Sequence, residues 1–189
     1  MNTKQNDFPL FINIGNDTFI IRKALVDELE ELRVACDFDR KLMTCRPIVN
    51  RDMEASIKLF TDLVNNKNNL LLGIYFEDTA GTHIIGRLSF YDYNSRNRSL
   101  EMGYMLHNAW QGKGIMQKCI ISVTNALFEK YNINKIYAQT CEINVKSRNL
   151  LEHCGFKIDA RLREHHEYNE TLYDDYIYSI LKSEVPCQI

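Results

Sequence analysis

Three β-rich runs lie close together in the middle of the chain and are separated by short polar turns. They cover residues 70–76, 84–91 and 100–106, and the turns between them contain Asp78-Thr79-Ala80-Gly81 and residues 94–98. Runs of this length and spacing predict an antiparallel meander. A glycine-containing turn after the third run leads into a long amphipathic stretch, so the meander belongs to a mixed fold and not to an all-β one.

Helical periodicity marks the segments on either side of the meander. Residues 26–36 and 52–66 have apolar side chains at three- and four-residue spacing, and Asp52 is a candidate N-cap. A long helix to residue 131 and a short one over 145–153 follow the meander, and strands are predicted at 19–22, 135–140, 156–163 and 173–182. The order βααβββαβαββ predicts a mixed α/β (α+β) fold with one central twisted sheet of about seven strands and flanking helices.

Composition restricts the class of protein further. The chain has 189 residues, 45% of them hydrophobic and 25% charged, with a net charge of -2. We therefore expect a single domain over residues 1–189, with residues 1–15 as an N-terminal extension, and no nucleic-acid or membrane partner. The six cysteines are scattered without a Cys-x-x-Cys pair, which favours a reduced cytoplasmic protein. The histidines show no metal-ligand spacing, so no metal is expected.

A turn at residues 110–116 joins the end of the meander to the long helix. Its sequence is Trp110-Gln111-Gly112-Lys113-Gly114-Ile115-Met116. Glycines let a ligand approach the backbone closely, and the free N–H groups at a helix N-terminus suit a pyrophosphate. A tight strand-to-helix turn without a ligand would have the same sequence features. Neither a P-loop nor a dinucleotide-binding motif is present.

Four further segments give this turn a family context. They are Leu100-Glu101-Met102-Gly103-Tyr104-Met105-Leu106, Asn144 to Ser147, Leu151 to Phe156, and Asp174 to Leu181. In this combination the chain resembles the GNAT acyltransferases, and most closely their ribosomal-protein N-terminal acetyltransferase branch. The family signature Gln/Arg-x-x-Gly-x-Gly/Ala falls on Gln111, Gly114 and Met116. Met116 departs from the pattern, and its side chain either crowds the pyrophosphate or turns into the core.

The resemblance implies acetyl-CoA as the co-substrate, with pantetheine held between two splayed parallel strands. The backbone of Tyr104, Met105 and Leu106 would bind it, and an N–H near Met105 would polarise the thioester carbonyl. Gln111, Gly112, Lys113, Gly114, Ile115 and Met116 would surround the pyrophosphate. Asn144 would contact the pantetheine and Ser147 the sulfur, although both residues also suit an ordinary helix start. Trp110 packs either on the pantetheine or in the core.

Transfer to an amine requires a base, because an ammonium group must first lose a proton. Glu101 is the candidate, since alternation places it on the same strand face as Gly103 and Met105. The alternative for Glu101 is a surface pair with Arg87 or Arg98, and Asp174 is the second candidate base. His165 and His166 are expected on the surface of a hairpin. Many family members protonate the leaving thiolate with a Tyr where this chain has Leu151, which leaves Ser147, a water or no dedicated acid.

These residues predict an N-acetyltransferase that transfers an acetyl group from acetyl-CoA directly to a primary amine. The expected acceptor is the N-terminal α-amine of a protein such as a ribosomal protein, and the resemblance also suggests a homodimer. A polyamine, amino-sugar or antibiotic acetyltransferase on the same fold is an alternative, as is a non-catalytic acyl-CoA sensor. A basic acceptor is favoured by the carboxylates clustered towards the C-terminal end, Glu164, Glu167, Glu170, Asp174 and Asp175.

Overall fold

The computed structural model describes residues 8–37, 39–43 and 52–185, and the strands in this part of the chain form an eight-stranded sheet. The strands are β1 Leu10–Ile14, β2 Asp17–Lys23, β3 Leu70–Asp78, β4 Gly81–Asn94, β5 Ser99–Leu106, β6 Lys135–Cys141, β7 Lys157–Tyr168 and β8 Thr171–Leu181. Their order is β1-β2-β3-β4-β5-β6-β8-β7. Neighbouring strands are antiparallel except β5 and β6, which are parallel. The mixed α/β class and the meander β3-β4-β5 are confirmed.

The strand that the sequence analysis missed is β1. It pairs antiparallel with β2, and Leu10 lies opposite Ile21. Phe8 and Ile12 are buried, and Leu10 and Ile14 pack against the same core. The expected N-terminal extension over residues 1–15 is therefore wrong for Leu10–Ile14, because every second side chain of this segment is apolar and faces the core. Residues 1–7 of that extension lie outside the described residues.

The helices agree with the periodicity to within about one residue. They are α1 Val26–Ala35, α2 Met53–Asn65, α3 Ile115–Lys130 and α4 Val145–His153. Asp52 caps α2 as expected, because its side chain accepts a 2.8 Å hydrogen bond from the Ala55 N–H. The buried stripe of α2 is narrower than predicted, since Phe60 is buried while Met53 and Val64 are exposed. Among the helices described, none is long and apolar enough to cross a membrane.

The helices cover the two faces of the sheet separately. Buried side chains of α3 and α4 form one core with Leu100 and Met102 of β5. A smaller core on the opposite face joins Leu29 of α1 and Phe60 of α2, and Tyr91 of β4 packs against it. Tyr91 lies opposite Glu101 in the sheet. Alternate residues of β5 therefore point to opposite helix layers.

A gap opens between β5 and β6. Their parallel pairing covers Ser99–Lys135, Leu100–Ile136 and Glu101–Tyr137, and it stops there. Both strands continue, β5 to Leu106 and β6 to Cys141. The expected splayed pair of parallel strands is thus present, and none of the strands described here pairs with this edge of β5 beyond Glu101.

The C-terminal hairpin β7-β8 is longer than predicted. Its turn is at Asn169 and Glu170, which both have positive φ angles. The pairing of β7 with β8 shifts by two residues between Leu162 and His166, so His166 stays on the same sheet face as Leu162 and Asp175. On this face the His166 ring contacts the Lys41 carbonyl and Asp175 and is 6% exposed, so its expected surface position is wrong. His165 is exposed as expected.

Candidate active site

The free edge of β5 presents backbone groups to the gap. His107 donates its N–H to the Ile85 carbonyl of β4 at 2.8 Å. Because the direction of N–H groups alternates along a strand, the N–H of Met105 also faces β4, whereas those of Tyr104 and Leu106 face the gap. The expected donor is an N–H near Met105, and the amides of its two neighbours, Tyr104 and Leu106, are the ones that face the gap.

The turn before α3 lies beside the wide end of the gap. Gly112 and Gly114 have φ angles of 75° and 74°, a region that favours glycine, and a Cβ at either position would meet no heavy atom within 4 Å. The first bond in the helix joins the Lys118 N–H to the Gly114 carbonyl. The N–H groups of the first turn thus have no acceptor in the helix, and they directly follow the open space beside Gly112 and Gly114. This combination suits an anionic group.

The side chains of Ile115 and Met116 point away from that open space. Ile115 is 1% exposed and Met116 is 6% exposed, and both belong to the core under α3. Of the two alternatives for Met116, the structure shows the core position. The missing small residue of the family signature therefore does not obstruct the turn, and these two residues can contribute only backbone groups to a ligand.

Gln111 and Trp110 hold the turn in place. The Gln111 side-chain N–H groups donate to the Leu106 carbonyl at 3.0 Å and to Asn108 Oδ1 at 3.2 Å, which ties the turn to the end of β5. Trp110 packs against Phe19 and Phe76, with ring centroids 5.8 and 4.7 Å away. The core alternative for Trp110 is therefore the observed one. Lys113 Nζ lies 4.7 Å from the centre of the Trp110 ring.

Asn144 and Ser147 start α4 beside the gap. Asn144 Oδ1 accepts a 3.2 Å hydrogen bond from the Ser147 N–H, so Asn144 is the N-cap of this helix. Its amide nitrogen still carries two donor hydrogens. The Ser147 hydroxyl lies 2.7 Å from the hydroxyl of Tyr104 on β5. A side-chain hydrogen bond thus joins β5, beyond its last pairing with β6, to the first turn of α4.

The Tyr104 hydroxyl is the functional group that the sequence analysis missed. Burial raises the pKa of Tyr104 well above its usual range, so the phenol stays neutral and can donate a hydrogen bond. Only its backbone was expected to take part, because sequence spacing cannot show that residues 104 and 147 meet. Together the two hydroxyls form a hydrogen-bonded pair on the face of the sheet that carries α3 and α4.

Glu101 lies at the narrow end of the gap on the opposite face. It is half-buried, its neighbour on β4 is Tyr91 and its neighbour on β6 is Tyr137. Arg87 lies opposite Met105, four positions further along β5, and its guanidinium is 5.7 Å from the centre of the Phe60 ring. The register therefore does not place Arg87 beside Glu101. Glu101 shares its strand face with Gly103 and Met105 as expected.

The acidic cluster of the hairpin is less negative than its sequence suggests. Asp174 is buried and pairs with Arg161, and its Oδ1 accepts the Glu164 N–H at 2.9 Å. That N–H and the Arg161 guanidinium hold the pKa of Asp174 below its usual range. Asp175 is fully buried. The two aspartates therefore cannot supply the expected surface field, and Asp174 is a poorly placed base.

The thiols give no sign of a covalent intermediate. Cys36, Cys119, Cys141 and Cys154, the cysteines within the described residues, form no disulfide. Burial raises the pKa of Cys119 and Cys154 to about 12. A thiol with so high a pKa is a poor nucleophile at neutral pH.

A strand edge open to a ligand, a helix N-terminus next to it and a carboxylate on the far face suit acyl transfer from a coenzyme A thioester to an amine. Comparison with known families agrees with this chemistry. Residues 18–157 match the acetyltransferase (GNAT) domain. The chain belongs to the GNAT acetyltransferase family. It is accordingly an acetyl-CoA-dependent N-acetyltransferase, and the resemblance inferred from its motifs is confirmed.

Relatives of this GNAT chain cover nearly its whole length. It is 27% identical over 177 residues to the uncharacterized N-acetyltransferase YoaA of Bacillus subtilis, covering 92% of this chain and 98% of YoaA. The ribosomal-protein α-N-acetyltransferase RimL in complex with coenzyme A has the same fold, with a TM-score of 0.77, 17% identity and coverage of 91% and 98% of the two chains. For a Vibrio cholerae spermidine N-acetyltransferase bound to coenzyme A and spermine, the TM-score is 0.73, the identity 21% and the coverage 88% and 97%.

We predict that Ser147→Ala lowers kcat by about tenfold and changes the KM for acetyl-CoA by less than threefold. Removing the hydroxyl breaks the hydrogen bond to Tyr104 near the expected position of the thiolate, and general acids contribute roughly 10²-fold or more when the leaving group is poor. A thiolate is a good leaving group, so we expect a smaller effect. Steady-state kinetics measure it, with Ser99→Ala as the control. An unchanged kcat would remove Ser147 from the chemistry.

Proposed function

We propose that this enzyme acetylates the N-terminal α-amine of a protein, such as a ribosomal protein, with acetyl-CoA bound in the gap between β5 and β6. The gap between β5 and β6 is the observation that most directly supports the proposal. Beyond Glu101 the N–H groups on its β5 edge have no strand partner within the described part of the chain, and the open turn at Gly112–Gly114 lies at its wide end. Pantetheine would complete the edge of β5 and the pyrophosphate would bind the first turn of α3.

Individual residues have distinct roles in this arrangement. Tyr104 and Leu106 would bind pantetheine through their backbone, and Asn144 through its amide nitrogen. Gln111 positions the turn, because it bonds to the Leu106 carbonyl. Gly112, Lys113, Gly114, Ile115 and Met116 would surround the pyrophosphate, the last two through their backbone alone.

Direct attack on the thioester needs a proton acceptor on the amine side and a proton donor on the sulfur side. Glu101 and the pair of Tyr104 and Ser147 point to opposite faces of the sheet, since residues 101 and 104 differ by an odd number of positions on one strand. An amine arriving from the α1-α2 face would therefore meet Glu101, while the thiolate would leave towards Ser147. The thioester carbon would lie between them.

The state of the carboxylates favours an α-amine over a polyamine. An α-amino group has a pKa of about 7.7–8.0, and a lysine-type amine has about 10.4, so one carboxylate is better matched to the α-amine. A polycation also needs several free carboxylates, and in the hairpin Asp174 is paired with Arg161 while Asp175 is buried. The polyamine alternative rests on the shared fold and on the remaining exposed glutamates.

A matched set of acceptors tests the proposal. We would compare a peptide with a free N-terminus, the same peptide with a blocked N-terminus and an internal lysine, and spermidine, and measure the release of coenzyme A. We expect acetylation at the α-nitrogen by mass spectrometry, and a kcat/KM at least tenfold higher than for either of the other acceptors.

Three results would contradict the proposal in different ways. A kcat/KM for spermidine equal to or above that for the free peptide would replace the α-amine with a polyamine as acceptor. Binding of acetyl-CoA without turnover on any amine of a wide panel would indicate an acyl-CoA sensor. Turnover with amino sugars or aminoglycoside antibiotics alone would replace the α-amine with one of these small amines as the acceptor.

A further inference from the structure

Three potential metal ligands that are distant in sequence meet on three neighbouring strands. Cys141 at the end of β6 lies directly opposite Asp175 on β8, and His166 on β7 lies next to them. Their ligand atoms lie within 4.8 Å of one another. Cys141 and Asp175 are 0% exposed and His166 is 6% exposed. The GNAT reaction proposed above uses none of these side chains.

The buried carboxylate of Asp175 is satisfied on one side only. Its Oδ2 accepts a 2.6 Å hydrogen bond from the Gln139 side chain. Its Oδ1 is buried and accepts no hydrogen bond from any residue in the described part of the chain, and it lies 3.7 Å from His166 Nδ1. A buried carboxylate oxygen without a partner is costly, so a positive charge is expected near it.

The hydrogen bond at Nε2 of His166 leaves Nδ1 as the ring nitrogen that can bind a cation. Nε2 lies 2.5 Å from the Lys41 carbonyl oxygen, which can only accept, so Nε2 carries a hydrogen. In a neutral ring Nδ1 then has a free lone pair, and the nearest carboxylate oxygen also has free lone pairs. A carbonyl that binds the second nitrogen is the usual support of a metal-ligating histidine.

We propose that Cys141, His166 and Asp175 bind a zinc ion through Sγ, Nδ1 and Oδ1, with an exchangeable fourth ligand. Ligand atoms around a tetrahedral zinc lie roughly 3.3–3.7 Å apart, because zinc-ligand distances are about 2.0–2.3 Å. The Nδ1–Oδ1 separation of 3.7 Å is slightly longer than the roughly 3.3–3.5 Å of a nitrogen and an oxygen on one tetrahedral zinc, so a small side-chain shift would bring the pair to zinc. It is too long for a charge-assisted hydrogen bond. Thiolate and imidazole also favour zinc over magnesium or calcium.

The zinc site would fasten the segment around Lys41 to the sheet. Lys41 lies in a short 3-10 turn, Arg40–Leu42, that follows α1, and its carbonyl contacts His166. Two hydrogen bonds also hold this segment: Lys41 Nζ donates to Asn169 Oδ1, and the Tyr168 hydroxyl donates to Asp39 Oδ2. Tyr137 is paired with Glu101, and Cys141 lies four residues further along β6. Because side chains alternate between the two faces of a strand, Cys141 lies on the same sheet face as Glu101. The site would thus stabilise the acceptor side of the enzyme.

Cobalt substitution tests the site on the full chain. The protein is stripped with a chelator, its fold is verified by circular dichroism, and Co²⁺ is titrated in. We expect a thiolate-to-cobalt charge-transfer band that saturates at one equivalent and disappears when Zn²⁺ is added. Cys141→Ser should abolish the band, and His166→Gln should weaken Co²⁺ binding at least tenfold, whereas the controls Cys119→Ser and Cys154→Ser should keep it. One equivalent of Zn²⁺ should also raise the Tm.

Several outcomes would overturn the proposal. The absence of a charge-transfer band in the stripped, folded, unmodified chain would exclude the zinc site. This result needs no variant, so it also decides the question if Cys141→Ser fails to fold. A band that survives in Cys141→Ser, or that is lost equally in Cys154→Ser, would also exclude this site. If His166 and Asp175 instead form an ion pair without metal, Zn²⁺ will leave the Tm unchanged.

Discussion

Gly114→Val is expected to abolish the stabilisation of the protein by acetyl-CoA. A ligand that binds only the folded state stabilises it by about 2.7 kcal/mol at a hundredfold excess over its Kd. Gly114 has a φ of 74° and open space where its Cβ would be, directly before the first turn of α3. A valine would place three carbons in front of the N–H groups that we assign to the pyrophosphate. We expect no Tm shift with acetyl-CoA. We also expect a kcat/KM at least about 100-fold lower, which corresponds to a loss of about 2.7 kcal/mol.

A matched glycine separates ligand binding from backbone strain. Gly15, between β1 and β2, has a φ of 61° and also has no heavy atom within 4 Å of its Cβ position. A side chain at a positive φ costs roughly 1–3 kcal/mol in either turn. Gly15→Val should therefore lower the Tm of the unliganded protein as Gly114→Val does, while it keeps the acetyl-CoA shift. A normal shift in Gly114→Val would show that the pyrophosphate binds elsewhere.

The local elements were predictable because their causes are local. The α3 stripe, the Asp52 cap and the meander follow from side-chain period and turn residues within a few positions of each other. The strand β1 was missed although Phe8, Leu10, Ile12 and Ile14 alternate with other residues. Its signal is only five residues long and lies next to a polar start, so it did not stand out.

The parts of the site that were not predictable depend on contacts between distant segments. The hydroxyls of Tyr104 and Ser147 meet only because β5 and β6 separate beyond Glu101. His166 is buried because its ring contacts Asp175 on the neighbouring strand and the carbonyl of Lys41, which is far away in the sequence. A single sequence contains no local mark of a strand splay or of a contact between such distant segments.

Glu101→Gln should lower kcat/KM by roughly 10²–10⁴ at neutral pH with an α-amine acceptor. The amide has nearly the shape of the carboxylate but cannot accept the ammonium proton. The loss should shrink as the pH rises through the acceptor pKa of about 7.7–8.0, because the neutral amine then forms without help. The Tm shift with acetyl-CoA should be unchanged, since Glu101 lies on the face opposite the Tyr104–Ser147 pair. A pH profile of kcat/KM for both proteins measures the effect.

Asp174→Asn is the control that distinguishes a base from a structural carboxylate. Asp174 is held by Arg161 and by the Glu164 N–H, so its replacement should lower the Tm without changing the shape of the pH profile. The reverse pattern would make Asp174 the base despite its partners. In that case Asp174→Asn alters the pH profile of kcat/KM, and Glu101→Gln lowers kcat/KM by less than threefold. The amine would then have to approach over the β7-β8 hairpin. That route would bring it past the buried group of Cys141, His166 and Asp175, and removing zinc would in that case alter the acceptor KM as well as the Tm.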